Sequence, residues 1–378
     1  MKQHMRVGVY PYSLEFDPFA RHMNLLDPSF QIAALIAPTG WGMTGKQITN
    51  EAQGGKWIVS SEFEPFLNDI DTVFIPAFHV AENVETKIIK KLETVIPNLQ
   101  RILCAANLSV QNKERLKTLC AQSGCTFEDL NMQKELEKYG LVKQVAQYPP
   151  IHPINTPILA IAGLWEETDK FELSLSLREM FIRDGYNITQ IGPRNCCELF
   201  GFHSFPDFMF DKHTDATDKI VYFNQWIKRL ESTEKPDIIV LTVPGALQNF
   251  SEQVTKGFGV LPYIVFQAVM ADFFLFCTMY GADSIEPLQE LSTMCKHKFG
   301  CEIDMFHMAN TYFDLIASEM NKQAVLNRVH RETVSQAIEE NCKDSPIPIV
   351  NALDQPSLDV LYRSIINKLS GEDVQIVL

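Results

Sequence analysis

Apolar residues fall in short unbroken runs separated by amphipathic stretches. Val7-Gly8-Val9-Tyr10 is the first run and Pro11 cuts it; 32–37, 72–75 and 101–105 are three more. Between them, 16–26 predicts a helix with Pro18 in its first turn. Ile88, Ile89, Leu92 and Ile96 stand at helical spacing over 85–96, closed by Pro97, and 113–123 predicts a helix ending at Gly124. Continuous apolar strands alternating with amphipathic helices predict a parallel sheet covered on both faces.

Pro149, Pro150 and Pro153 then interrupt the pattern; proline density of this kind cannot continue a helix and favours an extended linker. The alternation restarts with a strand at 158–162, a turn at Gly163 and a helix over 171–184. A strand at 186–191, a helix at 220–230 and a buried strand at 237–243 follow, and 261–269 and 273–280 supply two more strands. From Asn310 onward the pattern is mostly helical, with one short strand at 347–350. These breaks divide the chain into an α/β domain at 1–147, a Pro-rich linker at 148–155, a second α/β domain at 156–310 and a mainly helical segment at 311–378.

Composition narrows the function classes. The 378 residues exceed what one hydrophobic core usually organises, and 46% hydrophobic with 21% charged is an ordinary globular balance. A net charge of −14 repels a phosphate backbone, and no Lys/Arg cluster offers a basic groove, so nucleic acid is not expected as a partner. The apolar stretch 260–282 is interrupted by Pro262, Gln267 and Asp272, which favours buried core over a membrane span. Nine cysteines without a framework spacing, and a start that runs directly into a strand, predict free thiols and a cytoplasmic location.

The segment most able to carry chemistry begins where the 158–162 strand ends. Gly163-Leu164-Trp165-Glu166-Glu167-Thr168-Asp169-Lys170-Phe171 occupies the place of a phosphate-binding P-loop, where a helix start offers unpaired N–H groups to phosphate oxygens. The first Gly and the Lys are present, with one residue more between them than usual. Asp169 stands for the second Gly and Phe171 for the Mg²⁺-holding hydroxyl residue. A carboxylate repels a phosphate and a phenyl ring ligates no metal. Three readings remain open: a degenerate loop that has lost hydrolysis, one that still binds a nucleotide as cofactor, and a plain strand–helix turn. Asp237 heads a strand ending Thr242-Val243-Pro244-Gly245, and the spacing of the two strands resembles the dethiobiotin synthetase and MinD-like branch of P-loop proteins. The expected fold is therefore α/β, with two Rossmann-like open, mostly parallel sheets, the second P-loop-like, and a helical C-terminal tail.

Other motifs are weaker. Gly40-Trp41-Gly42-Met43-Thr44-Gly45-Lys46 has P-loop spacing, but Gln47 follows and 48–55 reads as an irregular loop, so no helix supplies a dipole. Arg194 and Asn195, in the loop after the 186–191 strand, are placed to meet a carboxylate or phosphate. Cys196 and Cys197 with His203 could hold a metal or serve as a thiol nucleophile, but no C-x-x-C partner completes a zinc site, and packing is the simpler role. Phe200, Phe202, Phe205, Phe208 and Phe210 read as a local core more than as a peptide groove. Cys295, His297, Cys301, Asp304 and His307 match no metal spacing and read as surface and turn residues. Candidate cofactor-binding residues are Gly163, Thr168, Asp169, Lys170, Arg194 and Asn195, with no metal site and no assignable catalytic residue.

The runs 168–173, Leu177-Arg178-Glu179, Gly185-Tyr186, 190–195 and Gly201-Phe202-His203-Ser204-Phe205-Pro206, with the start at Val7-Gly8-Val9-Tyr10-Pro11-Tyr12-Ser13, resemble the clostridial-type peptide maturation system proteins. These accompany radical-SAM enzymes and small precursor peptides in bacteriocin-like natural-product cassettes. The resemblance implies a cytoplasmic accessory or scaffold protein in maturation of a ribosomally made peptide, with the precursor peptide or a modifying enzyme as partner. It implies no catalytic residue. The alternative is an ATP-dependent ligase or kinase acting on a peptide or small acid, with Lys170 on the phosphates, Arg194 on the acceptor and Asp237 as first metal-ligand candidate.

Overall fold

A computed structural model describes residues 4–50, 55–78, 80–131, 136–141, 150–252, 254–255, 257–281, 285–322 and 324–371. The chain forms two compact units, Met1–Gln133 with Asn195–Gly201, and Lys134–Arg194 with Phe202–Leu378. Both carry open, mostly parallel sheets with helices against them, the expected Rossmann-like α/β class, and the C-terminal end is helical.

In the first unit, β1 (Met5–Val9), α1 (Asp17–Arg21), β2 (Phe30–Leu35), β3 (Gln47–Asn50), β4 (Gly55–Ile58), β5 (Thr72–Ile75), α2 (Glu82–Glu93), β6 (Arg101–Cys104), α3 (Val110–Ser123) and β7 (Thr126–Asp129) follow in order. The sheet runs β2-β1-β5-β6-β7, all parallel. Ile88, Ile89 and Leu92 of α2 and Leu116 and Cys120 of α3 bury against Val73, Ile75, Ile102 and Cys104 on one face. The Glu85 carboxylate ties the two helices together, accepting from Ser109 N–H at 3.0 Å, Ser109 Oγ at 2.8 Å and Asn112 Nδ2 at 2.7 Å. Gly124, at φ 71°, ends α3 in the left-handed conformation that glycine adopts without strain. The segment 48–55 was expected as an irregular loop; its ends instead belong to strands β3 and β4, which pair antiparallel, and residues 51–54 lie outside the described residues.

In the second unit, β8 (Ile158–Gly163), α4 (Lys170–Arg183), β9 (Ile188–Gly192), β10 (His203–Ser204), α5 (Ala216–Glu234), β11 (Ile238–Thr242), α6 (Val260–Ala268), β12 (Phe273–Tyr280), α7 (Ile285–Phe299), β13 (Met305–Phe313), α8 (Leu315–Asn321), β14 (Leu326–Arg328), α9 (Arg331–Asn341), β15 (Ile349–Val350) and α10 (Gln355–Ser370) follow. The sheet order is β10-β9-β11-β8-β12-β13-β14, with β15 also on β13; only β14 is antiparallel. The run 261–269, expected as a strand, lies in helix α6 up to Ala268, with Val269 extended beyond its end. It is apolar almost throughout, so periodicity alone could not separate helix from buried strand.

Within this unit, 158–162 and 238–242 are buried throughout, each face of the strands receiving a different helical layer. Leu159, Ile161, Val240 and Leu275 pack with α4 and with Leu358, Leu361, Tyr362 and Ile365 of α10. The spacing of those α10 residues is the helical stripe that turns one face inward; burying each contributes about 2 kcal/mol. On the other face Ala160, Leu241 and Phe276 pack with Phe223 and Ile227 of α5 and with Val265 of α6. Residues 148 and 149 of the Pro-rich stretch lie outside the described residues. Beyond them, His152 N–H donates to Asn224 Oδ1 at 2.7 Å and Thr156 N–H to Glu231 Oε1 at 2.8 Å, tying this stretch to α5. Among the described residues no helix is long and apolar enough to cross a membrane.

Candidate functional site

β8 delivers Gly163 to the C-terminal edge of the sheet, where residues 164–169 turn the chain into α4. β11 and β12 flank β8 on either side, and the chain order reverses around it. Open α/β sheets place ligand sites at such a switch point, so the loop has the expected station.

Its interior is filled by its own atoms. A Cβ on Gly163 would stand 2.4 Å from Thr168 Oγ1, 2.9 Å from Trp165 O and 3.2 Å from Lys170 Cδ, so only glycine lets the turn fold down onto the strand end. Thr168 is fully buried, its hydroxyl donating to Trp165 O at 3.2 Å and its N–H to Glu166 O at 2.9 Å. Lys170, 5% exposed, donates through Nζ to Gly245 O at 2.6 Å and to Trp165 O at 3.3 Å. Burial lowers its pKa from the usual 10.5 to about 8, against the opposing pull of Cys277, Glu166 and Glu167.

Asp169 does not pair with Lys170. Its backbone is left-handed, at φ 57°, and its carboxylate accepts from Asn310 N–H at 2.9 Å and from Arg328 Nη1 at 2.6 Å. Phe171, where a Mg²⁺-binding hydroxyl would stand, is buried, with the Arg194 guanidinium 4.5 Å above its ring. Gly163, Thr168, Asp169 and Lys170 thus form one turn, and Arg194 stacks on the helix that follows it. Asn195 belongs to the other unit, where its amide donates to Ala105 O at 3.1 Å and to Asn131 Oδ1. Asp237 sits before β11, at the end of the strand away from the loop, and accepts from Asn187 N–H at 2.8 Å; it is not placed to ligate a metal beside Lys170.

Several residues of this locality carry no local sequence signal. Gly245, Asn310 and Arg328 lie 75, 141 and 159 residues from the groups they bind. His307, expected as a surface or turn residue, is fully buried on β13, as Cys295 is on α7. His307 Nδ1 accepts from Ala352 N–H at 3.1 Å, which leaves the proton on Nε2, and Nε2 has no hydrogen-bond partner among the described residues. Burial holds this imidazole's pKa down at about 4, the Asp169 charge opposing. Cys277 lies in register between Gly163 and His307, and burial pushes its thiol above the usual range.

Phe202, Phe205 and Phe208 are buried, with Phe205 stacked on Phe223 at 5.3 Å, while Phe210 is exposed. His203 Nε2 meets Glu234 at 2.7 Å. No group of three or more His, Cys, Asp or Glu suited to a metal occurs among the described residues.

No protein-family profile and no curated protein matches the chain. Among solved structures it is similar to a DUF1611 family protein from Anabaena variabilis, at 10% identity and a TM-score of 0.63, over 96% of this chain and 100% of that one. McdA from Cyanthece in its apo form aligns over 58% of this chain and 95% of its own at 14% identity and a TM-score of 0.31. The putative oxidoreductase YvaA from Bacillus subtilis aligns over 50% and 44% at 12% identity and a TM-score of 0.25. The first likeness, over nearly the whole chain, shows a shared fold.

Proposed function

We propose that this chain is a non-hydrolysing accessory or scaffold protein in maturation of a ribosomally made peptide, its phosphate-type loop retained as a closed turn. The observation that carries the non-hydrolysing reading is the Lys170 ammonium, committed at 2.6 Å to Gly245 O while Thr168 Oγ1 fills the space over Gly163. A loop in this state offers no hollow to a phosphate. Phe171 supplies no oxygen for Mg²⁺, and the Asp169 carboxylate beside the loop, neutralised by Arg328, adds acceptors where a triphosphate needs donors. The peptide-maturation setting, its precursor peptide or modifying enzyme as partner, and a cytoplasmic location rest on the family resemblance of 163–195 and 201–206.

Phosphate release from ATP and from GTP with Mg²⁺ tests the first half. The expected rate equals the protein-free rate, for the parent and for Lys170→Ala alike. Turnover that disappears in Lys170→Ala overturns the reading in favour of the ATP-dependent ligase or kinase, with Lys170 leaving Gly245 for the phosphates. Fluorescence anisotropy of the labelled precursor peptide from the same cassette tests the second half: saturable binding is expected, and its absence at high protein concentration, alone and with the modifying enzyme present, removes the partner assignment.

A further inference from the structure

On the side of the sheet covered by α5 and α6, the second unit holds an open pocket of about 250 Å³. An apolar cavity of about 150 Å³ already accepts a benzene ring, so this one has room for a ring or branched chain with a polar head. Met209, Leu261, Pro262 and Ile264 give it an apolar lining. Gly245, Gly257 and Gly259 contribute bare backbone to the wall. A Cβ at position 259 would stand 2.4 Å from Leu247 O, and Gly259 N–H donates to Ala246 O at 3.2 Å, so the two wall segments are fastened together around the space.

The lining has one charged side chain among the described residues, Lys219 of α5. No carboxylate lies within ion-pairing distance of its ammonium among those residues. In a protein of net charge −14, a cavity whose described lining carries a cation and no anion is electrostatically distinct from the surface around it. Apolar walls with one placed polar group are the usual make-up of a small-molecule site, the walls supplying affinity and the polar group orientation.

We propose that this cavity binds a small apolar carboxylate, its hydrocarbon part against Met209, Leu261 and Ile264 and its carboxylate on the Lys219 ammonium. An alcohol or amide of the same shape fills the same volume but leaves Lys219 unpaired. An amine brings like charge to it. The site is separate from the Lys170 turn in its lining residues, Gly245 excepted, and does not depend on whether that turn binds a nucleotide.

Calorimetric titration and thermal shift with phenylacetate and isovalerate, each against its neutral amide, test this. The acids are expected to bind and raise the melting temperature, with the amides weaker by about five- to tenfold. Lys219→Met, on a half-buried helix position, should keep the melting temperature of the free protein and abolish the preference for acid over amide. Val260→Trp, at a lining position that is 64% exposed, should block both acids without affecting folding. Absence of binding by either acid, equal binding of acid and amide, or an undiminished preference in Lys219→Met would each overturn the assignment.

Discussion

Arg328 Nη1 donates to Asp169 Oδ1 at 2.6 Å, joining β14 to the first residue before α4 across 159 positions of sequence. The carboxylate is 4% exposed and the guanidinium half exposed, so the pair is desolvated mainly on the acid's side. The second carboxylate oxygen takes Asn310 N–H at 2.9 Å. A residue that looked like damage to a phosphate site is therefore the anchor of the turn.

Asp169→Asn should lower the urea midpoint of the second unit by the equivalent of about 1–3 kcal/mol, the cost of weakening charge-assisted hydrogen bonds to a buried acceptor. Asp169→Ala should cost more, because alanine tolerates the left-handed backbone at φ 57° less well than Asn. Equal midpoints for the parent and both variants would show that the anchor contributes nothing.

Closure of the turn onto Gly163 predicts a specific epistasis. Gly163→Ala forces a methyl to within 2.4 Å of Thr168 Oγ1 and should cost about 1–3 kcal/mol through overpacking. Thr168→Ala removes that oxygen, so the double variant should recover part of the loss, leaving the contact to Trp165 O at 2.9 Å. Strict additivity in thermal melts of the four proteins would mean the loop opens in solution.

The general layout was legible because buried parallel strands write themselves as unbroken apolar runs: 158–162 and 238–242 needed no tertiary information. Residues 260–268 were not, since an apolar helix and an apolar strand look alike when nearly every position is hydrophobic. Polar Gln47, Thr49 and Asn50 hid the β3–β4 pairing for the opposite reason. Gly163 and Lys170 were legible from their spacing at a strand end. The groups that decide what they do, Gly245, Asn310 and Arg328, meet them only after the sheet is assembled, and no local pattern announces such partners. His307 was misplaced because its charge chemistry was weighed without the strand beneath it.

Lys170 should leave a signature in alkaline stability. Its pKa is about 8 in the folded protein against 10.5 ordinarily, so between those values the unfolded chain holds a proton that the folded one has released. Stability then rises with pH across that window, by up to about 3 kcal/mol from this group. The difference in urea midpoint between the parent and Lys170→Met should widen in the parent's favour as pH rises from about 8 to about 10.5. A constant difference would place the ammonium in water.

Thiol reactivity should be low in the folded state. All nine cysteines are free, eight of them buried, and burial pushes the Cys104 and Cys295 thiols up to about 12. The thiolate is the reactive form, and burial pushes the Cys301 thiol up to about 12 as well, so alkylation near neutral pH should be slow and begin at Cys301 through access, since it alone is half-buried. Mass spectrometry after timed iodoacetamide exposure would show this order; rapid modification of Cys196 or Cys197 would reopen the thiol-chemistry reading.

The last expectation concerns acid. His307 is neutral and fully buried, with a pKa of about 4 against the usual 6.5, because its charged form would lose water without gaining a sufficient partner; Asp169 offsets only part of that loss. As pH falls from about 6.5 to about 4, the unfolded chain takes up a proton that the folded one refuses, so stability falls with a slope approaching about 1.4 kcal/mol per pH unit. His307→Asn removes this titration while its side-chain oxygen can stand where Nδ1 accepts Ala352 N–H. The variant should therefore lose less stability than the parent between those pH values, whatever its stability at neutral pH. Parallel acid limbs for the two proteins would mean that the imidazole reaches solvent, and with it that β13 is not sealed beneath the turn.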